Sequence, residues 1–584
     1  MATARIPLVG TLNQRGLEGN ATLTLNEDQR FLNCAFDVVQ NPVLGKTTVY
    51  ISKRQGWGVD SVIAPGDAST GLIKPQSFNV TLSAFGETNS TIYFGTTSVG
   101  VITGRALHFT ETLISAVAHV MIRSSDGTGW YYVDGAKDVL TYSVTTHTNT
   151  IVDGIASTAG MYSGQEVSGT GIVAGTKISS VTSSVAIVLD TATTGTATVT
   201  LTKTPIAKII SANFVATGTF ISAFVEMDGF LFYSTDDGNL RNSDINSVTA
   251  YTSTAVVAPN MAPDPPRAVA RHKNMVIALG SSSKEVFYNQ GSYPSPLLRS
   301  PQFFDRIGVL DQRSVTTIEN DIYFVSSPTA GDIGIYRIRG MESVRVSTPV
   351  IDRILGSISA TGVVYASSFR LAGYQYAAFS MSLATDTAGD ILLLESGDNI
   401  LLETADSMLT ETTTGQTAAF ARMMVYNAGL NIWSEWDSVE ATFIVGIGST
   451  SSNQILATSR LVTDGKIYTI NPVANGELYQ DDGSAFTTEI RTARIDHGTS
   501  KRKYVTEIRL VCDRQSSGTV TLEKNDNDFA SADWVTLGTF DLTSMSPVIT
   551  RCGSYLSGRA YRLTHSANSP FRAEALEIVY TIGT

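Results

Sequence analysis

Residues 270–291 read ARHKNMVIALGSSSKEVFYNQG, and residues 295–340 read SPLLRSPQFFDRIGVLDQRSVTTIENDIYFVSSPTAGDIGIYRIRG. Two short β-rich runs, 276–279 and 285–288, flank Gly-Ser turn residues, and runs at 321–325 and 334–338 repeat the layout. The first run of each pair is mostly apolar, as an inner strand must be. The later one alternates, with Tyr336 and Ile338 on one face against Arg337 and Arg339 on the other. The stretch predicts two successive antiparallel sheet modules.

The rest of the chain fits that beginning. Its 584 residues exceed one ordinary domain, although a large all-β domain absorbs several hundred. Hydrophobic residues make up 42%, enough for a core, whereas charged residues reach only 16%, below the usual quarter. No segment holds an apolar 3.6-residue period beyond about three turns, so the expected class is all-β. The net charge of −12 argues against a general DNA-binding surface, which needs dense Lys and Arg. Cys34, Cys512 and Cys552 are too scattered for a metal cluster or a disulfide framework and are expected as reduced thiols. The opening MATARIPLVGTLNQRG lacks a signal-peptide pattern, and no run approaches 18 apolar residues, so no bilayer span is expected.

Composition and turn signals divide the chain. Residues 1–60 form an N-terminal arm with strands expected at 33–39 and 48–51. Residues 61–139 carry a first blade's worth of sheet or slightly more, with Ser124-Ser125-Asp126-Gly127 as a hairpin turn. Residues 140–205 change character: from Thr141 to Thr204 the charges are Asp153, Glu166, Lys177, Asp190 and Lys203 alone, and the aromatics Tyr142 and Tyr162 alone. Such small side chains suit an inserted immunoglobulin-like β-sandwich projecting outward. Sheet modules resume over 206–485 around a Pro-rich hinge at 262–266, their last strands expected at 442–447, 454–457, 466–470 and 476–479. Residues 486–584 form a C-terminal β-sandwich. About six four-stranded units between 60 and 485 predict a β-propeller.

The wording of 274–340, VxALGSxSxEVFYNxG followed by F.R..GV and DIYFV…G…YRI, resembles the tail hub or nozzle family of short-tailed bacteriophages, also called packaged-DNA-stabilisation or tail tubular B proteins. The ending GK..VYI.KRxGW near residue 57 is similar to the family's opening, with Gln55 where a Pro is usual. MYxGQxVSGTGIxAGTxI resembles small modules inserted in phage virion proteins. The C-terminal pattern KR…EIRL is a weaker match, since Asn525-Asp526-Asn527-Asp528 replaces a Ser-Asp-Gly-Gly turn. The resemblance implies a virion tail protein assembled in the host cytoplasm. It further implies a homohexameric ring docked to a head-to-tail adaptor, bearing tail fibres or spikes, with packaged double-stranded DNA passing through its lumen. On that reading there is no enzyme activity and no cofactor.

Residues 390–413, within an expected β-arm at 388–415, repeat with period eight: DILLLESG, DNILLETA, DSMLTETT. Asp390, Asp398 and Asp406 form one carboxylate row and Glu395, Glu403 and Glu411 another. Six stacked carboxylates repel unless water, cations or a basic partner is near. An arm packed on a neighbouring subunit, a docking point for a fibre or spike, and a calcium site are the competing readings. The last lacks the D-x-D-x-D-G spacing.

No catalytic motif emerges. The six histidines are scattered, and there is no nucleophile elbow or phosphate loop. Ser234-Thr235-Asp236-Asp237-Gly238 matches the start of a box on sialidase-like propellers, but position 241 is Arg rather than aromatic, and turn sterics explain the match. The alternative function is a carbohydrate-binding or glycoside-cleaving tail propeller. Lys53-Arg54 and Lys501-Arg502-Lys503, the densest basic clusters, are expected on solvated faces. Arg337, Arg339, Arg345 and Arg353, interleaved with Glu342 and Asp352, are expected in intersubunit ion pairs.

Overall fold

The computed structural model describes residues 2–9, 30–41, 46–63, 71–73, 75, 85–88, 90–133, 140–156, 158, 161, 167–173, 176–203, 206–209, 211–215, 217–326, 333–356, 363–382, 421–437, 444–449, 455–459, 465–470, 479–527, 533–556 and 558–583. Strands dominate, and the described helical segments are one α-helix, Pro349–Gly356, and two single 3-10 turns. Among the described residues, six four-stranded antiparallel sheets and the first four strands of a nine-stranded sheet make seven blades of a β-propeller. Blade 1 spans 72–101, blade 3 spans 225–257, blade 4 spans 268–299, blade 5 spans 315–345 and blade 6 spans 363–436. Blade 2 takes three strands from 106–133 and its fourth, Ala207–Lys208, from beyond the insertion.

Alternation explains why the inner runs read as continuous apolar stretches. In Met275–Leu279, Val276 and Ala278 point into a core shared with blade 3, while Ile277 and Leu279 point into a core shared with blade 5. Asp321–Val325 repeats this one blade further: Ile322 and Phe324 face blade 4, Tyr323 and Val325 face blade 6. A blade is buried on both faces, so both parities must be apolar. One such cluster lies between each consecutive pair of blades, and the seventh, with Ile63, Leu456 and Ile467, returns to Leu72 of blade 1.

Two expectations are corrected here. The blade count is seven rather than about six, because Ala106–Ile114 is an inner strand that its polar sequence conceals. The last blade is not closed by the next strand in sequence, expected at 476–479, of which only Tyr479 is among the described residues. Its fourth strand is Trp57–Val62, antiparallel to Lys466–Ile470, with Trp57 buried near Tyr468 and Ile470. Pairing an early strand with the last blade leaves the ring no open seam, removing the exposed edge that invites wrong partners.

The inserted β-sandwich consists of six strands in one continuous hydrogen-bonded order, between the third and fourth strands of blade 2. Its core of Val144, Val152, Ile155, Met161, Val167, Ile178, Ile187, Leu189 and Leu201 includes no residue from outside the insertion. The C-terminal β-sandwich recruits the arm. Ala2–Pro7 and the hairpin Cys34–Asn41/Lys46–Lys53 join the sheet of Lys503–Cys512 and Arg572–Ile582. Arg30–Leu32 bridges Ile432–Trp436 of blade 6 to Thr488–Arg491, so one sheet runs from the propeller into the sandwich. The described strands of the arm up to Lys53 therefore join the sandwich, whereas Trp57–Val62 joins the propeller.

Two motif glycines have steric reasons. A Cβ on Gly308 would lie 2.1 Å from the Ser281 carbonyl carbon, and one on Gly56 would lie 1.8 Å from the Gln480 carbonyl oxygen. The Pro-rich segment at 262–266 is pinned and does not act as a hinge. Asp264 accepts from the backbone N–H of Ser281 and Ser282 and from the hydroxyls of Ser281, Ser282 and Ser283. In the same motif Lys284 is fully buried, paired with Asp305 and donating to the Met341 carbonyl at 2.7 Å, which staples blade 4 to blade 5.

Because the inserted module has its own sheet and core, residues 140–204 expressed alone should give a β-type circular dichroism spectrum and a cooperative thermal transition.

Candidate functional site

A cavity of about 870 Å³ lies on the propeller axis, lined by inner strands of blades 1 to 6 and by Gln312 and Arg313. Polar residues line it: His108, Thr110 and Glu111 from blade 2, Glu226 from blade 3, Arg271 and Lys273 from blade 4, and Glu319 from blade 5. Blade 6 adds Tyr365, Ser367 and Ser368. Most of the charges are tied within the chain. Arg271 pairs with Glu226 at 3.0 Å, Glu319 accepts from Gln375 at 2.6 Å, and Arg313 clamps Asp311 at 2.6 and 2.9 Å. His108 is pushed well below the ordinary histidine range, by burial first and then by Arg123 and Arg313.

A second hollow of about 610 Å³ opens among the turns of blades 4 to 6, beside His272, Arg337, Arg339 and Tyr374.

The sequence-derived candidates fall out as follows. Asp390, Glu395, Asp398, Glu403, Asp406 and Glu411 lie outside the described residues. The 234–238 segment is a turn. Asp237 accepts from the hydroxyls of Thr217 and Thr235 and from Arg241, and Gly238 adopts φ +87°. Those hydrogen bonds outweigh the cost of burial and hold Asp237 well below the usual carboxylate range. Among the described residues no group of three or more His, Cys, Asp or Glu is placed to hold a metal. The three cysteines are unpaired, with Cys34 and Cys552 buried.

The basic clusters are corrected. Lys53, Arg54 and Lys503 are buried rather than solvated. All five N–H groups of Arg54 have acceptors: Asn33 Oδ1 at 2.9 Å, the Gln55 and Asp437 carbonyls, and both oxygens of Asp481 at 2.9 and 2.6 Å. Its guanidinium also sits 4.0 Å from the Phe486 ring. Lys503 donates to the Thr499 and Leu556 carbonyls. Of the four arginines expected in intersubunit pairs, two find partners inside the chain, Arg345 on Asp352 at 2.7 Å and Arg337 near Asp321 at 4.0 Å. Arg313, which lines the axial cavity, was not singled out by sequence. Its place there has no motif, because it depends on the closed ring of blades that surrounds the cavity.

Comparison with known proteins bears on the propeller. Residues 115–372, from blade 2 into blade 6, match the family model described as the bacteriophage P22 Gp10 β-propeller. The match supports a phage structural propeller of the DNA-stabilisation type. No curated protein matches the chain. Solved structures with some likeness include the N-terminal domain of Nup159, at 8% identity and TM-score 0.33, covering 76% of this chain and 98% of that one. The WD40 propeller of Doa1 has 10% identity and TM-score 0.29, covering 72% and 98%. A Trypanosoma rangeli sialidase has 8% identity and TM-score 0.22, covering 94% and 90%. Scores this low carry no functional argument.

Two substitutions probe the buried cations. Arg54→Met leaves Asp481 buried without its partner and should lower the guanidinium unfolding free energy by about 3–5 kcal/mol, with Asp481→Leu added on top restoring most of it. Lys53 has no carboxylate in direct contact; it donates to the Phe486 and Ala567 carbonyls, and burial, then Arg54, lowers it from 10.5 to about 8. Between pH 8 and 10.5 the unfolded chain holds a proton that the native chain has released, so stability should rise with pH there. Relative to Lys53→Met, measured in parallel melts, the gain should be at most about 3 kcal/mol.

Proposed function

We propose that the chain is a tail hub or nozzle subunit of a short-tailed phage. Copies would form a ring, a hexamer by the family resemblance, that retains packaged DNA and conducts it during ejection. The match of blades 2 to 6 to a phage stabilisation propeller carries this reading. On this reading the lumen lies between copies, and each propeller serves as a segment of wall. A net charge of −12 suits a wall past which phosphates slide rather than stick. The adaptor would dock on one end of the ring and fibres or spikes on its outside. The mechanism is mechanical, with no covalent step. Its setting is the virion tail, assembled in the host cytoplasm.

A glycoside-cleaving propeller needs a carboxylate pair flanking a bond, one member protonated. Two of the three glutamates that line the axial cavity, Glu226 and Glu319, are already engaged by Arg271 and Gln375. This favours the structural reading over the enzymatic one.

Negative-stain images of the purified full-length chain should display rings, and incubation with host surface polysaccharide should release no sugar. Persistent monomers that liberate oligosaccharide would replace the hub with the glycosidase.

A further inference from the structure

Three consecutive blades carry bare apolar side chains on one rim. In an antiparallel blade the turn between the first and second strands lies at the same end as the turn between the third and fourth. At that end Leu113 and Val117 of blade 2, Ile245 of blade 3, and Tyr288, Tyr293 and Leu298 of blade 4 are exposed. Hydrogen bonds join these turns from blade to blade. Ser115 Oγ donates to the Asn246 carbonyl at 3.2 Å, the Asn246 N–H to the Gly229 carbonyl at 2.8 Å, and Asn289 Nδ2 to Asp228 at 2.8 Å. Tyr288 and Leu298 are cross-strand partners. Tyr293, 84% exposed, stands on a loop closed by the Gln290 N–H on the Pro296 carbonyl and by Ser292 Oγ on the Ser295 carbonyl. The rim is acidic as well: the Asp228 and Asp244 carboxylates accept from Asn289 and Thr252, neutral partners that leave their charge in place. Arg271 and Lys273, the bases of the adjoining turn, line the axial cavity.

A second apolar group sits at one tip of the C-terminal sandwich. Tyr504, Leu556 and Ile582 are exposed there, gathered around Lys503, which pairs with Ile582 and whose Nζ reaches the Leu556 carbonyl at 2.8 Å. Lys501 and Arg502 are exposed beside them, and Arg551, whose N–H bonds the Thr506 carbonyl, outweighs Asp496 on the same tip. The other end of the sheet meets the propeller, where the Lys53 N–H bonds the Phe571 carbonyl. Ile582 closes the 11-residue strand that starts there, roughly 30 Å away.

The two groups are unlike in charge and apart in place. The sandwich is anchored on blades 6 and 7 through Arg30–Leu32 and Trp57–Val62, and in a ring of seven blade 3 stands directly across from the seam between those two. Two different faces on opposite sides of one chain suit a head-to-tail contact, the kind that closes into rings. Clustered apolar surface of this sort marks an interface, and opposite charges around it set the partner and the register.

We propose that the acidic rim of blades 2 to 4 binds the basic sandwich tip of a second copy of this chain, with Tyr293 as the anchor and Asp228 and Asp244 opposite Lys501 and Arg502. The inference rests on the ring reading above and names the contact that builds the ring.

Two full-length variants test it. Tyr293→Glu spoils the rim, and Lys501→Glu combined with Arg502→Glu spoils the tip. All three positions are exposed, so both variants should melt within about 2 °C of the parent. By mass photometry each alone should self-associate at least about tenfold more weakly than the parent. An equimolar mixture should form heterodimers and stop there, because each pair then has one sound rim on one sound tip and nothing left to extend. In the parent, zero-length carbodiimide coupling should join Lys501 to Asp228 or Asp244 between copies. Rings that persist in Tyr293→Glu would assign the rim to a different partner; rings that persist in the tip variant, or a mixture that stays monomeric, would likewise overturn the contact while leaving the hub reading in place. A parent that never leaves the monomer overturns both.

Discussion

The architecture turns on a single buried cation. Arg54 sits where the sandwich hairpin ends and the closing strand of the ring begins, and its five donors reach four separate parts of the chain. Asn33 opens the sandwich hairpin, Asp437 ends blade 6, and Asp481 follows blade 7. Asp481 also accepts from the Trp57 backbone N–H at 2.9 Å, so the same carboxylate orients the strand that seals the propeller. Trp436 donates to the Cys34 carbonyl at 3.0 Å alongside. A charge this deep is tolerable only when every donor is met. Meeting them fixes propeller and sandwich against each other.

The same device recurs at smaller scale. Lys284 ties blade 4 to blade 5, Glu285 beside it pairs with Arg299 at 2.9 Å and accepts from the Met261 backbone, and Arg559 pairs with Asp526 at 2.6 Å inside the sandwich. The family-like wording around residue 284 is thus two kinds of constraint interleaved. Apolar residues fill the spaces between blades, and a few buried charges fix how the blades stand.

Much of the fold was legible because those constraints are local. A strand buried on both faces betrays itself by unbroken apolar residues, as in Val276–Ile277–Ala278–Leu279. The inserted module betrays itself by its poverty of charge and aromatics. What escaped were relations that span the chain. Ala106–Ile114 did not read as an inner strand because His108, Thr110 and Glu111, which line the axial cavity, interrupt its apolar pattern. Lys53-Arg54 read as solvated because the carboxylate that buries Arg54 lies 427 positions away. Trp57–Val62 gave no hint of its partner, since alternation says that a strand has two faces and nothing about which edge it will join.

That closure has a consequence for biosynthesis. Val62 pairs with Lys466, so the nascent strand leaves the ribosome 404 residues before its hydrogen-bonding mate. At 5–20 residues per second the wait is roughly 20 to 80 s, long enough for an unpaired strand to meet a chaperone or a neighbouring polysome product first. The hairpin that precedes it, whose sheet partner at Ala573 is made later still, must wait too. Tolerance of that delay, more than the stability of the finished ring, is where selection on the opening segment of this polypeptide should act.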